Sequence, residues 1–158
     1  MAEDLTISNN ISKEEQYKEL IPQLQVLIIE ETDLIANLAN LSAGLKEAFD
    51  FLWVGFYLVK NNELVLGPFQ GPVACTRIQK GKGVCGSSWG KAETLIIADV
   101  TKFEGHIACS SWSQSEIVIP IVRNAQVVAV LDVDSKELNT FDALDAHFLS
   151  MLLNEIKF

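Results

Sequence analysis

Apolar positions along this sequence change their spacing twice. Between 13 and 30, Leu20, Leu24, Leu27 and Ile28 recur at helical intervals behind Ser12, a residue suited to cap a helix N-terminus. A second helical stripe, Leu34, Leu38, Leu41, Leu45 and Phe49, runs on from Asp33, with Gly44 weakening its final turns. The pattern then shifts to strands. FLWVGFYLV reads as a buried strand, Asn61-Asn62 as a tight turn and ELVLGPF as its hairpin partner. Residues 73–78 and TLIIAD at 94–99 are further strand candidates. EIVIPIV, the turn RNAQ and VVAVLDVDS form the strongest hairpin pattern in the chain. Helical spacing returns after Thr140, the expected cap, with Phe141, Leu144, Phe148, Leu152 and Ile156 on one side.

Helices at both ends therefore enclose about six strands, several joined by hairpins. That order predicts an α+β domain with a central antiparallel sheet and the terminal helices packed on one face. A single domain is expected over 1–158, with 1–11 a poorly ordered extension. A hydrophobic share of 49% against 21% charged residues fits a soluble globular protein. The formal net charge of −9 argues against nucleic acid or anionic membrane as partners, since both need clustered Lys and Arg. MAEDLTISNN has neither the basic nor the apolar region of a secretory signal, and no apolar run nears the ~18 residues that span a bilayer. A cytoplasmic location follows as the expectation, and thiols there stay reduced. Three cysteines in that setting are packing residues or chemistry, not a disulfide framework.

Cys85 lies in GKGVCGSSWG, whose glycines match a dinucleotide-binding fingerprint. Only SSWGKAE separates Gly86 from the next strand, too little for a parallel crossover of roughly a dozen residues or more. The same stretch echoes a papain-type nucleophile motif, but no histidine lies at the roughly 130–150-residue spacing which that chemistry uses. The glycines thus punctuate a loop before a short helix, and Cys85 remains as a thiol. Cys75 sits in a plausible strand and suits packing. Cys109 sits in the polar stretch EGHIACSSWSQSE, where nearby N–H groups or His106 can lower its pKa.

Acids gather at one end of the expected sheet. Period-2 alternation puts Asp132 and Asp134 on one face of their strand, and the hairpin turn at 123–126 brings Glu116 beside them. Three carboxylates so placed repel unless a cation joins them or some hold protons. One reading leaves Asp134 as a turn residue and Glu116 solvated; the other is a site for an ammonium group with a carboxyl able to deliver a proton. Trp53 and Tyr57 share a face across Gly55, either as core or as the wall of a small pocket with the Tyr hydroxyl turned to a polar ligand.

With these residues assembled, the sequence resembles the free methionine-(R)-sulfoxide reductases, a family of stand-alone GAF-domain enzymes. The resemblance rests on LWVGFYLV, GPFQGPVACTRIQKGKGVCG, GHIACSS, and SEIVIPIV followed by VLDVDS. It implies a GAF-like fold and reduction of free methionine-(R)-sulfoxide through Cys109 as nucleophile. Cys75 would be the principal resolving cysteine and Cys85 a second one. Glu116 and Asp134 would assist protonation of the sulfoxide oxygen, and with Asp132 they would bind the amino group. Trp53 and Tyr57 would enclose the methylthio end. Thioredoxin as reductant, a homodimer, and no metal or bound cofactor are further implications. Trp112 stands where this family is expected to carry a small residue. The alternatives are a GAF module that senses a small ligand and a thiol-based redox sensor.

Overall fold

The computed structural model describes residues 4–107 and 110–158. Helix α1 spans Lys13–Ile29 behind a capping box: the Ser12 side chain accepts from the Glu15 amide, and the Glu15 carboxylate accepts from the Ser12 amide. Helix α2, Leu34–Phe49, starts on Asp33, whose side chain accepts from the Ala36 amide. Strands β1 (Trp53–Lys60) and β2 (Glu63–Gln70) follow, then the two-residue β3 (Arg77–Ile78), helix α3 (Gly83–Lys91) and β4 (Leu95–Ile97). Strands β5 (Ser115–Arg123) and β6 (Gln126–Ser135) precede the last helix, α4 (Ala143–Asn154).

The six strands form one antiparallel sheet in the order β3-β2-β1-β6-β5-β4. Both long hairpins turn on residues with positive φ, Asn61 and Asn62 in one, Asn124 and Ala125 in the other. That turn geometry matches the right-handed twist of the flanking strands. The α+β expectation holds, and so does the packing of α1, α2 and α4 on one face. Alternation on β1, β5 and β6 sends Val54, Phe56, Ile117, Ile119, Leu131 and Val133 into that helix-covered core. The opposite face carries α3 and a smaller core around Trp53, Tyr57, Trp89, Val118 and Val130.

Three local expectations change. Of residues 73–78 only Arg77 and Ile78 are strand. The preceding backbone is held by side chains, with the Trp53 indole donating to the Pro72 carbonyl at 3.1 Å and the Tyr57 hydroxyl to the Cys75 carbonyl at 3.0 Å. The cap of α4 is Asp142, which exchanges hydrogen bonds with Asp145 in a capping box. Thr140 instead donates its hydroxyl to Ser135. Finally, part of the expected N-terminal extension is docked: Leu5 and Ile7 pack on the core, and the Thr6 and Ser8 amides donate to Gln23 and Glu19. Among the described residues no helix is long and apolar enough to cross a membrane.

Gly55 does not leave open space for a ligand. A Cβ there would lie 2.3 Å from Phe69 Cβ and 2.7 Å from Trp53 Cη2, because the indole lies over the glycine and stacks on Phe69 with centroids 5.3 Å apart. Gly55→Ala is therefore expected to lower stability by about 1–3 kcal/mol through overpacking. Urea denaturation reads this directly, and an unchanged midpoint would contradict the packing described.

Candidate active site

The register of β6 builds the polar end of the second face. Asp134 pairs with Trp53 of β1 on one side and Glu116 of β5 on the other, while Asp132 pairs with Gly55 and Val118. Alternation keeps Asp132 and Asp134 on the α3 side of the sheet, and hairpin pairing sets Glu116 directly beside Asp134. Glu116 and Asp132 are buried, 5% and 7% exposed. Helix α3 lays Cys85 over them: its thiol is 4% exposed and donates toward Glu116 Oε1 at 3.9 Å. The short helix forms there because Gly86 lets the preceding loop close on it; a Cβ would meet the Gln79 carbonyl oxygen at 2.3 Å.

These residues form the floor of a cavity. Trp53 and Tyr57 wall one side, their rings stacked with centroids 5.9 Å apart. Val73, Ala74, Lys82, His106, Ile107, Ser110 and Ser113 complete the rim and sides. The Tyr57 hydroxyl, expected to face a ligand, is committed to the Cys75 carbonyl, so this aromatic pair braces the Cys75 segment as well as the pocket. Cys75 is disulfide-bonded and Cys85 is a free thiol. Cys109 lies outside the described residues.

No lysine or arginine forms an ion pair with Glu116, Asp132 or Asp134 among the described residues. Two unit charges about 5 Å apart repel by roughly 3 kcal/mol at an effective dielectric of ~20. Burial adds its own penalty for charge, so full ionisation of the cluster is costly. Burial first, then the charges of Asp132 and Asp134, hold Glu116 well above the usual carboxylate range. Asp132 is raised by burial and by Asp134. Burial brings Asp134 up to about 6, although the Ser113 hydroxyl donates to its carboxylate and opposes the rise. The Cys85 thiol is pushed up by burial and by the Asp132 and Glu116 charges. It is therefore held as a protonated thiol on the pocket floor, unlike the exposed, electropositive setting of a reactive cysteine. Burial lowers the His106 pKa, which keeps its imidazole neutral at neutral pH.

The fold recurs in known proteins. The GAF domain family model matches residues 31–158. GAF domain-containing protein A of Dictyostelium discoideum is 60% identical over 97% of both chains. The free methionine-R-sulfoxide reductase of Escherichia coli is 43% identical over 93% of this chain and 90% of its own. An X-ray structure of free methionine-R-sulfoxide reductase from Neisseria meningitidis, in complex with its substrate, superposes with a TM-score of 0.95 at 49% identity, covering 99% of this chain and 93% of that one. The chain belongs to the GAF-domain free methionine-R-sulfoxide reductase family.

Within that family frame, the structure brings together Trp53, Tyr57, Cys85, Glu116, Asp132 and Asp134. Ser113 is a site residue that periodicity does not mark. It lies in an irregular segment, and its role depends on reaching Asp134 across the sheet mouth. Trp112, at the position where a small residue was expected, is 68% exposed and points away from the core.

The raised carboxyls make a signed prediction for stability. Groups whose pKa is higher folded than unfolded stabilise the fold fully at low pH, and that contribution is lost as pH rises through the folded value. Stability should fall from about pH 4, the unfolded carboxyl range, through the Asp134 value of about 6 and beyond. Glu116→Gln is expected to flatten that decline, and at pH 8 to be more stable than the native chain by about 1–3 kcal/mol. Urea midpoints at pH 5 and pH 8 check this; a native chain that gains stability across that interval would overturn it.

Proposed function

We propose that this chain reduces free L-methionine-(R)-sulfoxide to methionine. The observation that carries the reading is the carboxyl cluster, without an ion pair to lysine or arginine among the described residues, on the floor of an aromatic-walled cavity. A free amino acid brings an ammonium group, which a residue within a peptide lacks. One ammonium satisfies one ionised carboxylate in the cluster and leaves another carboxyl protonated. That remaining proton serves the sulfoxide oxygen as the S–O bond breaks, and an acid with a pKa near 6 is suited to deliver it near neutral pH. Relatives named for this substrate, and the substrate complex of the Neisseria meningitidis protein, support the same assignment.

The thiol steps follow from the chemistry of sulfoxide reduction. The Cys109 thiolate takes over the oxygen, releasing methionine as the thioether and leaving a sulfenic acid. A second thiol condenses with the sulfenic acid, forming a disulfide and expelling water. Cys75 takes that resolving role: its participation in a disulfide supports it, and the bonds from Trp53 and Tyr57 set its backbone in place. Cys85 belongs with the acids on the floor. Its closeness to Glu116 favours a part in substrate binding over resolution. A thioredoxin dithiol then returns the disulfide to two thiols. No bound cofactor is needed for this cycle; we place the protein in the cytoplasm, the expectation from its sequence, and as a homodimer, as its family resemblance implies.

An NADPH-linked assay with thioredoxin and its reductase tests the reading. Free methionine-(R)-sulfoxide should drive turnover in the reduced protein, lost in Cys109→Ser and slowed more by Cys75→Ser than by Cys85→Ser. Absence of turnover with fully reduced protein would sink the assignment. Asp134→Asn and Glu116→Gln should each lower the single-turnover rate by about 10²-fold or more, the usual worth of a positioned general acid. Unchanged single-turnover rates in both would make the acids bystanders.

A further inference from the structure

The pocket floor gathers a thiol and two carboxyl groups closely enough to share one cation. The Cys85 sulfur, one oxygen of Glu116 and one of Asp132 all lie within 4.8 Å of one another. The three side chains come from α3, β5 and β6, so packed elements rather than loops hold them. Asp132 Oδ1 is buried without any hydrogen-bond partner. An orphaned carboxylate oxygen in a desolvated site is costly, and Asp132 lines the cavity together with Cys85 and Glu116.

We propose that Cys85, Glu116 and Asp132 form a binding site for a thiophilic divalent cation, Zn²⁺ in the first instance. Zinc binds sulfur at about 2.3 Å and carboxylate oxygen at about 2.0–2.2 Å, commonly with three protein ligands and one open position. The existing separations reach that geometry through small side-chain adjustments. The fourth position faces the cavity, which all three residues line and which is the ion's way in. The donor set selects the metal: magnesium and calcium ask for six or more oxygens, whereas a thiolate beside carboxylates suits zinc or cadmium. Binding displaces the thiol proton and any carboxyl protons to solvent, so it strengthens as pH rises. The ion is not a resident cofactor. It takes the place of the substrate ammonium and stops turnover, a consequence that rests on the reductase reading; the binding itself does not.

Cobalt(II) is the probe, added to full-length, reduced, chelator-treated protein. One thiolate-to-cobalt charge-transfer band per chain is expected, retained when Cys75 and Cys109 are both changed to Ser and lost in Cys85→Ser. Stoichiometric Zn²⁺ should abolish the band. Asp132→Asn, which keeps the side-chain shape, should weaken cobalt binding at least about tenfold. A band that survives Cys85→Ser, or no band in the native chain, would overturn the proposal. Should Cys85→Ser fail to fold, undiminished cobalt affinity in folded Asp132→Asn would overturn it equally. Missing cobalt binding with turnover intact would remove the metal site alone. Missing turnover with cobalt binding intact would remove the reductase reading alone.

Discussion

The crowding of three carboxyl groups, Glu116 and Asp132 buried and Asp134 partly so, with no lysine or arginine ion pair among the described residues is the constraint around which this domain is arranged. Glu116, Asp132 and Asp134 lie on adjacent antiparallel strands in a register that puts two of them side by side. In such a place a carboxyl group keeps its proton or finds a positive partner. Among the described residues, neither lysine nor arginine forms an ion pair there. That omission costs stability at neutral pH, a cost that the proposed binding of an ammonium or metal cation would relieve.

The rest of the structure makes this cost bearable. The face covered by α1, α2 and α4 buries a continuous aliphatic core, and each fully buried Leu or Ile contributes about 1.5–3 kcal/mol. The far face can then carry polar groups without loss of the fold. Trp53 and Tyr57 link the two tasks: their rings wall the cavity while their polar atoms hold the backbone at Pro72 and Cys75. Cavity shape and the placement of the disulfide-bonded Cys75 are thus set by one pair of side chains on one strand. Gly55 between them is filled by the indole, and this fixes the ring over the sheet.

Much of this was legible before the structure, for identifiable reasons. Period-2 alternation is strict, so VLDVDS declared that its two aspartates share a face, and the RNAQ turn declared that Glu116 meets them. The helix-capping pattern was equally plain at Ser12, where Glu15 stands three residues on. At α4 the expected cap, Thr140, lies two residues before the observed one, because Asp142 exchanges hydrogen bonds with Asp145. What stayed hidden depended on irregular backbone. Residues 73–76 looked like strand because they are mostly apolar and short, but a single backbone bond at Thr76 and the Tyr57 hydroxyl on the Cys75 carbonyl hold them in place of a ladder. The commitment of the Tyr57 hydroxyl to Cys75, and of Ser113 to Asp134, follows from loop paths that no periodicity records. The depth of Cys85 was likewise invisible, since its neighbours are small and polar, and only the packing of α3 on β5 and β6 buries it.

The central claim is that the cluster carries a proton at neutral pH until a cation arrives. Carbon-13 NMR of the side-chain carboxyls, followed from pH 4 to pH 9 in the reduced protein, tests it most directly. At least one of Glu116, Asp132 and Asp134 should still give the shift of a protonated acid at pH 7, and should lose it when that residue is changed to its amide. Ionisation of all three below pH 5 would contradict the account.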